Sequence, residues 1–331
     1  MPKPRIALVT GGYASEAVIS YKSAEAVDGH LDRQRFDVWR VDITPDGWTH
    51  PHPDGNRYPI DRADFSLHLP EGHIHFDAAF IVIHGTPGED GRLQGYFDMV
   101  GIPYTSCDAA TSAITFNKRY TVALAAFSGI HTARSVHLFR DRPLPPAQIL
   151  AALALPVFVK PNNGGSSIGM SKVSTPEDLP AALEKAFRED DQVLVEEFIH
   201  GREFTIGVFR SEGRTLTLPF TEILTHNEFF DFEAKYQGRS SEVTPAQCPE
   251  AVAAQVRETA TRVYDIFNCR GVVRMDFIYH EDTAQPYLLE INSIPGQSTL
   301  SLVPQQVRAM GWDLTYFYTR LVEEALSRRN A

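Results

Sequence analysis

Two short stretches near the carboxyl end carry the strongest chemical signal in the chain. In Val273-Arg274-Met275-Asp276-Phe277, Arg274 and Asp276 stand two apart, and in Leu289-Glu290-Ile291-Asn292 the same spacing separates Glu290 from Asn292. Successive strand side chains point to opposite faces, so each polar pair shares a face while the apolar neighbours take the other. If the two strands pair as a hairpin, one sheet face carries Asp276, Glu290 and Asn292 together. Hard oxygen donors of this kind suit Mg2+, which takes one or two carboxylates and shares substrate phosphates. A solvated strand face with ordinary charge pairs has the same spacing. The turn Asn292-Ser293-Ile294-Pro295-Gly296 follows directly and would aim backbone N–H groups at a ligand.

A second signal runs from Lys160 to Gly169. A Lys at a strand end points a cation at phosphate, and Gly164-Gly165-Ser166-Ser167 lets backbone N–H groups close over it. It is not a Walker A loop, because no Gly-Lys-Ser/Thr follows, and a Gly/Ser run alone is more often only a loop. Lys118 upstream and the strand end Glu196-Glu197-Phe198-Ile199 add weight: such an edge could pair adenine through its backbone, with Glu203 binding ribose hydroxyls. A third stretch, Asp231-Phe232-Glu233-Ala234-Lys235-Tyr236, is polar and loop-like; alone it reads equally as a short helix with an exposed Lys.

The elements that must position these residues follow from hydrophobic period. Ile6-Ala7-Leu8-Val9, stopped by Gly11-Gly12, has the pattern of a buried parallel strand. A helix with Val18, Ile19, Ala24 and Val27 follows, then strands at Phe36–Val41 and Ala78–Ile83, a loop at His84–Gly91 and a helix at Arg92–Val100. Strands followed by helices favour a parallel sheet with ligands at the strand carboxyl ends, where both Gly11-Gly12 and His84-Gly85 lie. Residues 44–76, rich in His, Pro, Asp and Gly, are expected to be a weakly structured excursion or hairpin.

Farther on, a helix is expected at Lys118–Phe127, strands at Ala133–Phe139, Val157–Pro161 and Val193–Phe198, and a helix start at Thr175-Pro176. Strands near Phe204–Phe209 and Leu216–Glu222, a polar stretch at Asn227–Gly238 and a long helix from Pro249 to about Phe267 complete the frame around the two carboxyl-terminal strands. The expected fold is α/β in three lobes, residues 1–116, 117–200 and 201–331.

Composition narrows the function. At about 150 residues per domain, a chain of 331 residues suggests two domains, or three small ones. With 43% hydrophobic and 22% charged residues it can bury a large core, and a net charge of −11 argues against binding nucleic acid or an anionic membrane. Three widely spaced cysteines, Cys107, Cys248 and Cys269, read as reduced thiols in a cytoplasm. No run approaches the roughly 18 apolar residues of a membrane span, and the amino-terminal apolar run is too short for a signal-peptide core.

Taken in order along nearly the whole chain, these elements resemble the D-alanine–D-alanine ligase family of the ATP-grasp fold. The resemblance rests on Gly11-Gly12 with Glu16 and Ser20; His84-Gly85 with Gly88-Glu89-Asp90-Gly91 and Leu93-Gln94-Gly95; Lys118; Lys160-Pro161 with Gly165-Ser166-Ser167-Ile168-Gly169; Glu203-Phe204-Thr205; Phe230-Asp231 with Glu233-Ala234-Lys235-Tyr236; Arg274 and Asp276; and Leu289-Glu290-Ile291-Asn292 with Pro295-Gly296 and Ser301-Leu302. Each is weak singly; their joint occurrence at compatible spacing is specific.

The resemblance implies a three-lobed ATP-grasp architecture with a Rossmann-like amino-terminal domain, and a role for each matched residue. Lys118 and Lys160 would neutralise ATP phosphates, Glu196, Glu197, Phe198 and Ile199 would form the adenine edge, and Glu203 would take the ribose. Asp276, Glu290 and Asn292 would hold two Mg2+ ions, with Mn2+ as a substitute. Glu16 would receive the ammonium of the first D-alanine, and His84 would lie near its carboxylate. Arg274 and the Gly296 N–H would stabilise an oxyanion. Lys235, Ser301 and Leu302 would bind the second D-alanine, and Ser166 and Tyr236 would join Glu16 in a hydrogen-bonded triad.

The implied reaction activates one D-alanine carboxylate as an acylphosphate, which the amine of a second D-alanine attacks, in a site closed from water by Asn227–Gly238. A cytoplasmic homodimer acting in peptidoglycan precursor synthesis, with only small-molecule substrates as other partners, is what the resemblance suggests. A ligase for a different amino or hydroxy acid is the alternative. The chain departs from the common family pattern at Ala17-Val18, Asn117, Gln297-Ser298 and Leu300.

Overall fold

A computed structural model of the chain describes residues 2–13, 15–165, 168–225 and 240–328. The apolar run at the amino end is buried on both sides because its strand is interior. Arg5–Gly11 lies between two parallel neighbours, Asp37–Thr44 and Ala78–Ile81, and Ile6 to Gly11 are all buried. Gly11 ends it with φ at 99°; a Cβ there would sit 2.4 Å from the Ile43 carbonyl oxygen, so only glycine fits the exit turn.

Residues 44–76 are more ordered than their composition predicts. They form four strands, Gly47–Pro51, Arg57–Asp61, Ser66–Leu69 and Gly72–Ile74, that extend the parallel trio as an antiparallel meander into a seven-stranded sheet. Short strands of low propensity persist because each pairs with an edge already formed and because Ile60, Phe65, Leu67 and Leu69 bury beneath them.

The next sheet has four antiparallel strands, in spatial order Ser171–Val173, Val157–Pro161, Gln192–Glu197 and Ser135–Phe139. Helices Pro146–Ala152 and Leu179–Glu189 cover one face through Ile149, Leu179, Ala182 and Ala186. The first of these stands where only a Pro-rich connection was expected; Pro146 opens it at a position where a missing N–H costs nothing.

The third sheet runs Ser240–Val243, Thr221–Thr225, Arg202–Ser211, Val272–His280, Gln285–Asn292, with Arg214–Thr217 pairing the far end of Arg202–Ser211. Helix Glu250–Ile266 packs Val256, Ala260, Val263 and Tyr264 onto it. Helix Leu314–Ser327 bridges the first and third sheets, with Phe317, Tyr318 and Leu321 in one cluster with Phe80 and Phe209. Each large side chain buried this completely stabilises the fold by about 1.5–3 kcal/mol, so this helix locks the two sheets that face the site. No helix among the described residues is long and apolar enough to cross a membrane.

Candidate active site

The carboxyl-terminal strands pair as the spacing predicted. Val272–His280 and Gln285–Asn292 are antiparallel neighbours, with Asp276 opposite Glu290 and Arg274 opposite Asn292, and a bulge follows Asp276. The Arg274 guanidinium donates to both Asp276 oxygens, at 3.0 Å from Nε and 2.8 Å from Nη2, and reaches Glu290 Oε1 at 3.5 Å. The Asn292 amide lies 3.3 Å from Glu290 Oε1 and 3.5 Å from Asp276 Oδ2. Thr205, opposite Asp276 on the other side, donates its hydroxyl to Asp276 Oδ1. Burial alone would lower the affinity of Arg274 for its proton. The carboxylates of Asp276, Glu290 and Glu89 outweigh it and hold the guanidinium more firmly charged than usual. One guanidinium bridging two carboxylates beside an amide shows that this face gathers positive charge. Its oxygen donors fit a hard divalent cation.

A cleft of about 420 Å3 lies between the four-stranded and six-stranded sheets. Lys118, Lys160, Glu196, Glu197, Phe198, Ile199 and Glu203 all line it, as do Asp276 and Glu290. Residues from three sequence regions thus meet in one cavity. Lys160 and Glu196 come from neighbouring strands, and Nζ lies 2.5 Å from Oε2, with Glu196 buried and Lys160 partly so. Glu197 turns its carboxylate to Arg134, at 2.7 Å from Nε and 2.9 Å from the backbone nitrogen, and its own N–H donates to the Arg134 carbonyl at 3.0 Å. Lys172 stacks over the Phe198 ring at 4.8 Å. Lys118 opens helix Lys118–Phe127, and its ammonium donates to the Gly164 carbonyl at 2.6 Å.

Glu16 stands just before helix Ala17–Asp28. Burial raises its carboxyl above the ordinary value while Lys118 opposes the shift. The glycine loop comes up against it: a Cβ built on Gly165 would lie 3.0 Å from Glu16 Oε1. One turn farther along the helix, Ser20 Oγ accepts the His84 backbone N–H at 2.9 Å. Ser23, three residues on and fully buried, touches His84 Nε2 at 3.1 Å and accepts the Gln297 N–H at 3.1 Å. Burial, reinforced by Arg274, pushes the His84 imidazole down to about 4, so it is neutral near pH 7.

The loop His84–Gly91 is braced internally. Glu89 Oε2 accepts the Gly85 N–H at 2.7 Å, and Thr86 donates to Asp90 at 2.8 Å. Burial pushes the Glu89 carboxyl up to about 8; the Gly85 bond and Arg274 oppose this, and the charges of Glu16 and Glu290 add to it.

Gly296 and Ser301 adjoin, since a Cβ on Gly296 would meet the Ser301 hydroxyl at 2.8 Å. Ser301 precedes helix Leu302–Ala309 and bonds Ser298 at 2.8 Å instead of capping the helix, which leaves the first N–H groups of the helix without that partner. Gln297 is buried, bonded to the Pro295 carbonyl at 3.0 Å and to the Tyr318 hydroxyl at 3.2 Å.

Ser166, Lys235 and Tyr236, with the whole stretch Asn227–Gly238, lie outside the described residues. Every other site residue expected from the sequence falls either on the cleft or on the adjoining Glu16–His84–Arg274–Gly296 corner. Four residues in contact with that set carried no assigned role: Ser23, Thr205, Glu89 and Gln297. Ser23 had a signal in its place, one helical turn from Ser20 and so on the same face.

The chain matches the family model for the D-ala D-ala ligase N-terminus over residues 5–107 and that for the C-terminus over residues 118–323. It is 43% identical over 327 residues to the D-alanine–D-alanine ligase of Parabacteroides distasonis, covering 99% of both chains. It is 44% identical to that of Phocaeicola vulgatus, covering 97% of this chain and 99% of that one. Among solved structures it resembles the VanG D-Ala:D-Ser ligase of Enterococcus faecalis with a TM-score of 0.86 at 29% identity, over 98% of this chain and 100% of that chain. With two family models spanning nearly its full length, the chain belongs to the D-alanine–D-alanine ligase family and is an ATP-dependent ligase of peptidoglycan precursor synthesis.

Proposed function

We propose that the chain joins two D-alanine molecules to D-alanyl-D-alanine by phosphorylating the carboxylate of the first and passing its acyl group to the amine of the second. The observation that carries this reading is the cleft in which Lys118, Lys160, the Glu196–Ile199 strand end, Asp276 and Glu290 meet. ATP lies there, with adenine on the Glu196–Ile199 backbone, ribose at Glu203 and phosphates at the two lysines. Asp276, Glu290 and Asn292 hold two Mg2+ ions, which Mn2+ can replace. A divalent cation there would neutralise phosphate charge during transfer.

Glu16 receives the first ammonium and His84 lies by its carboxylate; neutrality suits His84 to that buried place. Arg274 and the Gly296 N–H meet the charge that develops on the carbonyl oxygen. Ser301 and Leu302, at a helix amino end with N–H groups to spare, take the second carboxylate. The lobes 1–116, 117–200 and 201–331 supply first substrate, nucleotide, and cation with second substrate. A cytoplasmic homodimer is supported by the family resemblance, and light scattering on the purified chain tests it.

A phosphate-release assay across D- and L-amino acids tests the substrate. D-alanine should support release and L-alanine should fail, because inversion drives the methyl into the Glu16 or Arg274 contact. Equal rates with both enantiomers would end this reading, and faster turnover with D-serine or D-lactate as acceptor would replace the second substrate.

A further inference from the structure

We propose that Asp64, His73 and His75 form a binding site for a late first-row divalent cation such as Zn2+, on the outer edge of the seven-stranded sheet and apart from the catalytic cleft. One ligand atom from each of these residues lies within 4.8 Å of the others. His73 stands on the edge strand Gly72–Ile74, and His75 follows two residues later, on the same side of the chain. Asp64 comes from the turn before strand Ser66–Leu69, and its Oδ2 lies 3.9 Å from His75 Nδ1.

The surroundings prepare the donors. Asp64 is steadied by the Ser66 N–H, 2.9 Å from Oδ1, which leaves Oδ2 for the cation. His68, paired with His73 across the two strands, stacks on its ring at 3.9 Å and 18°, and His75 leans against the same ring at 4.1 Å. The packing of His68 and His75 against it holds the exposed His73 ring in place among the donors. No protein group among the described residues hydrogen-bonds the His73 ring.

Two imidazoles and one carboxylate make a set that favours Zn2+, Ni2+ or Cu2+ over Mg2+. Ligand atoms about 2.0–2.1 Å from a tetrahedral zinc lie roughly 3.4 Å apart. Rotation of these exposed side chains closes the remaining gap, and water takes the fourth position. A cation there ties the edge strand to the turn at Asp64.

The test uses the untagged full-length chain, titrated calorimetrically with Zn2+ alongside an Asp276→Asn variant that removes a cleft carboxylate. One equivalent should bind with micromolar affinity. His73→Gln and His75→Gln should each weaken it by more than the roughly tenfold that loss of an outer-shell partner costs, while Asp276→Asn leaves it intact. Thermal unfolding should rise with Zn2+ in the wild type and not in the His73→Gln, His75→Gln double variant. Zn2+ affinity unchanged in that double variant, or lost in Asp276→Asn, would overturn the assignment, as would no binding tighter than millimolar in the wild type.

Discussion

Replacing Ser23 by alanine should damage stability and catalysis together. The Ser23 hydroxyl joins two segments of the site, touching the Gln297 backbone N–H after Gly296 and the Nε2 of His84. Both contacts are buried, so Ser23→Ala leaves a backbone donor and an imidazole nitrogen without partners and with no route to water. Each buried polar group stranded in this way costs about 1–3 kcal/mol. The pair should therefore lower unfolding free energy by roughly 2–6 kcal/mol.

The same loss frees the two backbones that present Gly296 and His84. If about 1.4–2.7 kcal/mol of it falls on the transition state, kcat/KM for phosphate release drops roughly tenfold to a hundredfold. Urea denaturation measures the first quantity and a coupled phosphate assay the second. Ser112→Ala serves as the comparison, because Ser112 is also fully buried, with its hydroxyl bonded to the Cys107 carbonyl at 3.3 Å. It should lose stability with little change in kcat/KM. A Ser23→Ala enzyme within about 0.5 kcal/mol and twofold of wild type would rule out this bridging role of Ser23, and so would equal kinetic losses in the two variants.

Glu290→Gln should abolish turnover with the fold retained, since it removes one of the two carboxylates proposed to hold the cation; near-normal phosphate release in saturating Mg2+ would remove that role. Lys160→Met should raise KM for ATP and destabilise the chain by about 3–5 kcal/mol, because it leaves Glu196 buried without its partner. Adding Glu196→Gln should restore the melting temperature but not the KM, and restoration of both would sink the phosphate role. Stability should fall with acid through His84. Its proton affinity is depressed in the fold, so the unfolded chain gains protons first, from about pH 6.5 downward, and the loss is complete near the folded value of about 4. The size is roughly 3 kcal/mol, and a His84→Gln enzyme whose urea midpoints fall just as steeply over that range would exclude His84 as the cause.

What the sequence revealed, and what it hid, divides by range. Asp276, Glu290 and Asn292 were legible because a strand alternates with period two and their strands are neighbours, so one hairpin assumption placed all three. Helices Arg92–Val100 and Lys118–Phe127 run between the expected residues. The meander of residues 47–74 was illegible because its strands owe their order to pairing with an existing edge, and its apolar anchors are too sparse to alternate. Helix Ala109–Phe116 was missed because it is short and Thr-rich; its start depends on Asp108 accepting the Thr111 N–H at 2.8 Å. The Lys160–Glu196 pair depends on strand register between distant segments, and the raised affinity of Glu89 for its proton depends on how tightly a loop packs. Neither leaves a trace in local spacing.

The charges on the cleft have a consequence for the order in which it fills. Its described lining holds three cationic side chains, Lys118, Lys160 and Arg202, against the carboxylates of Glu196, Glu203, Glu222, Asp276 and Glu290, while that of Glu197 is held by Arg134. On the proposed function, a cavity that takes a highly charged anion would therefore itself be anionic. A bare nucleotide entering it meets more repulsion than attraction, and a bare cation entering it lacks the phosphates that would complete its shell. Each is admitted on the other's terms. By linkage, whatever factor the cation adds to nucleotide affinity the nucleotide adds to cation affinity. On that reading the cleft would discriminate between the complexed and the free nucleotide by its own sign, before any chemistry begins.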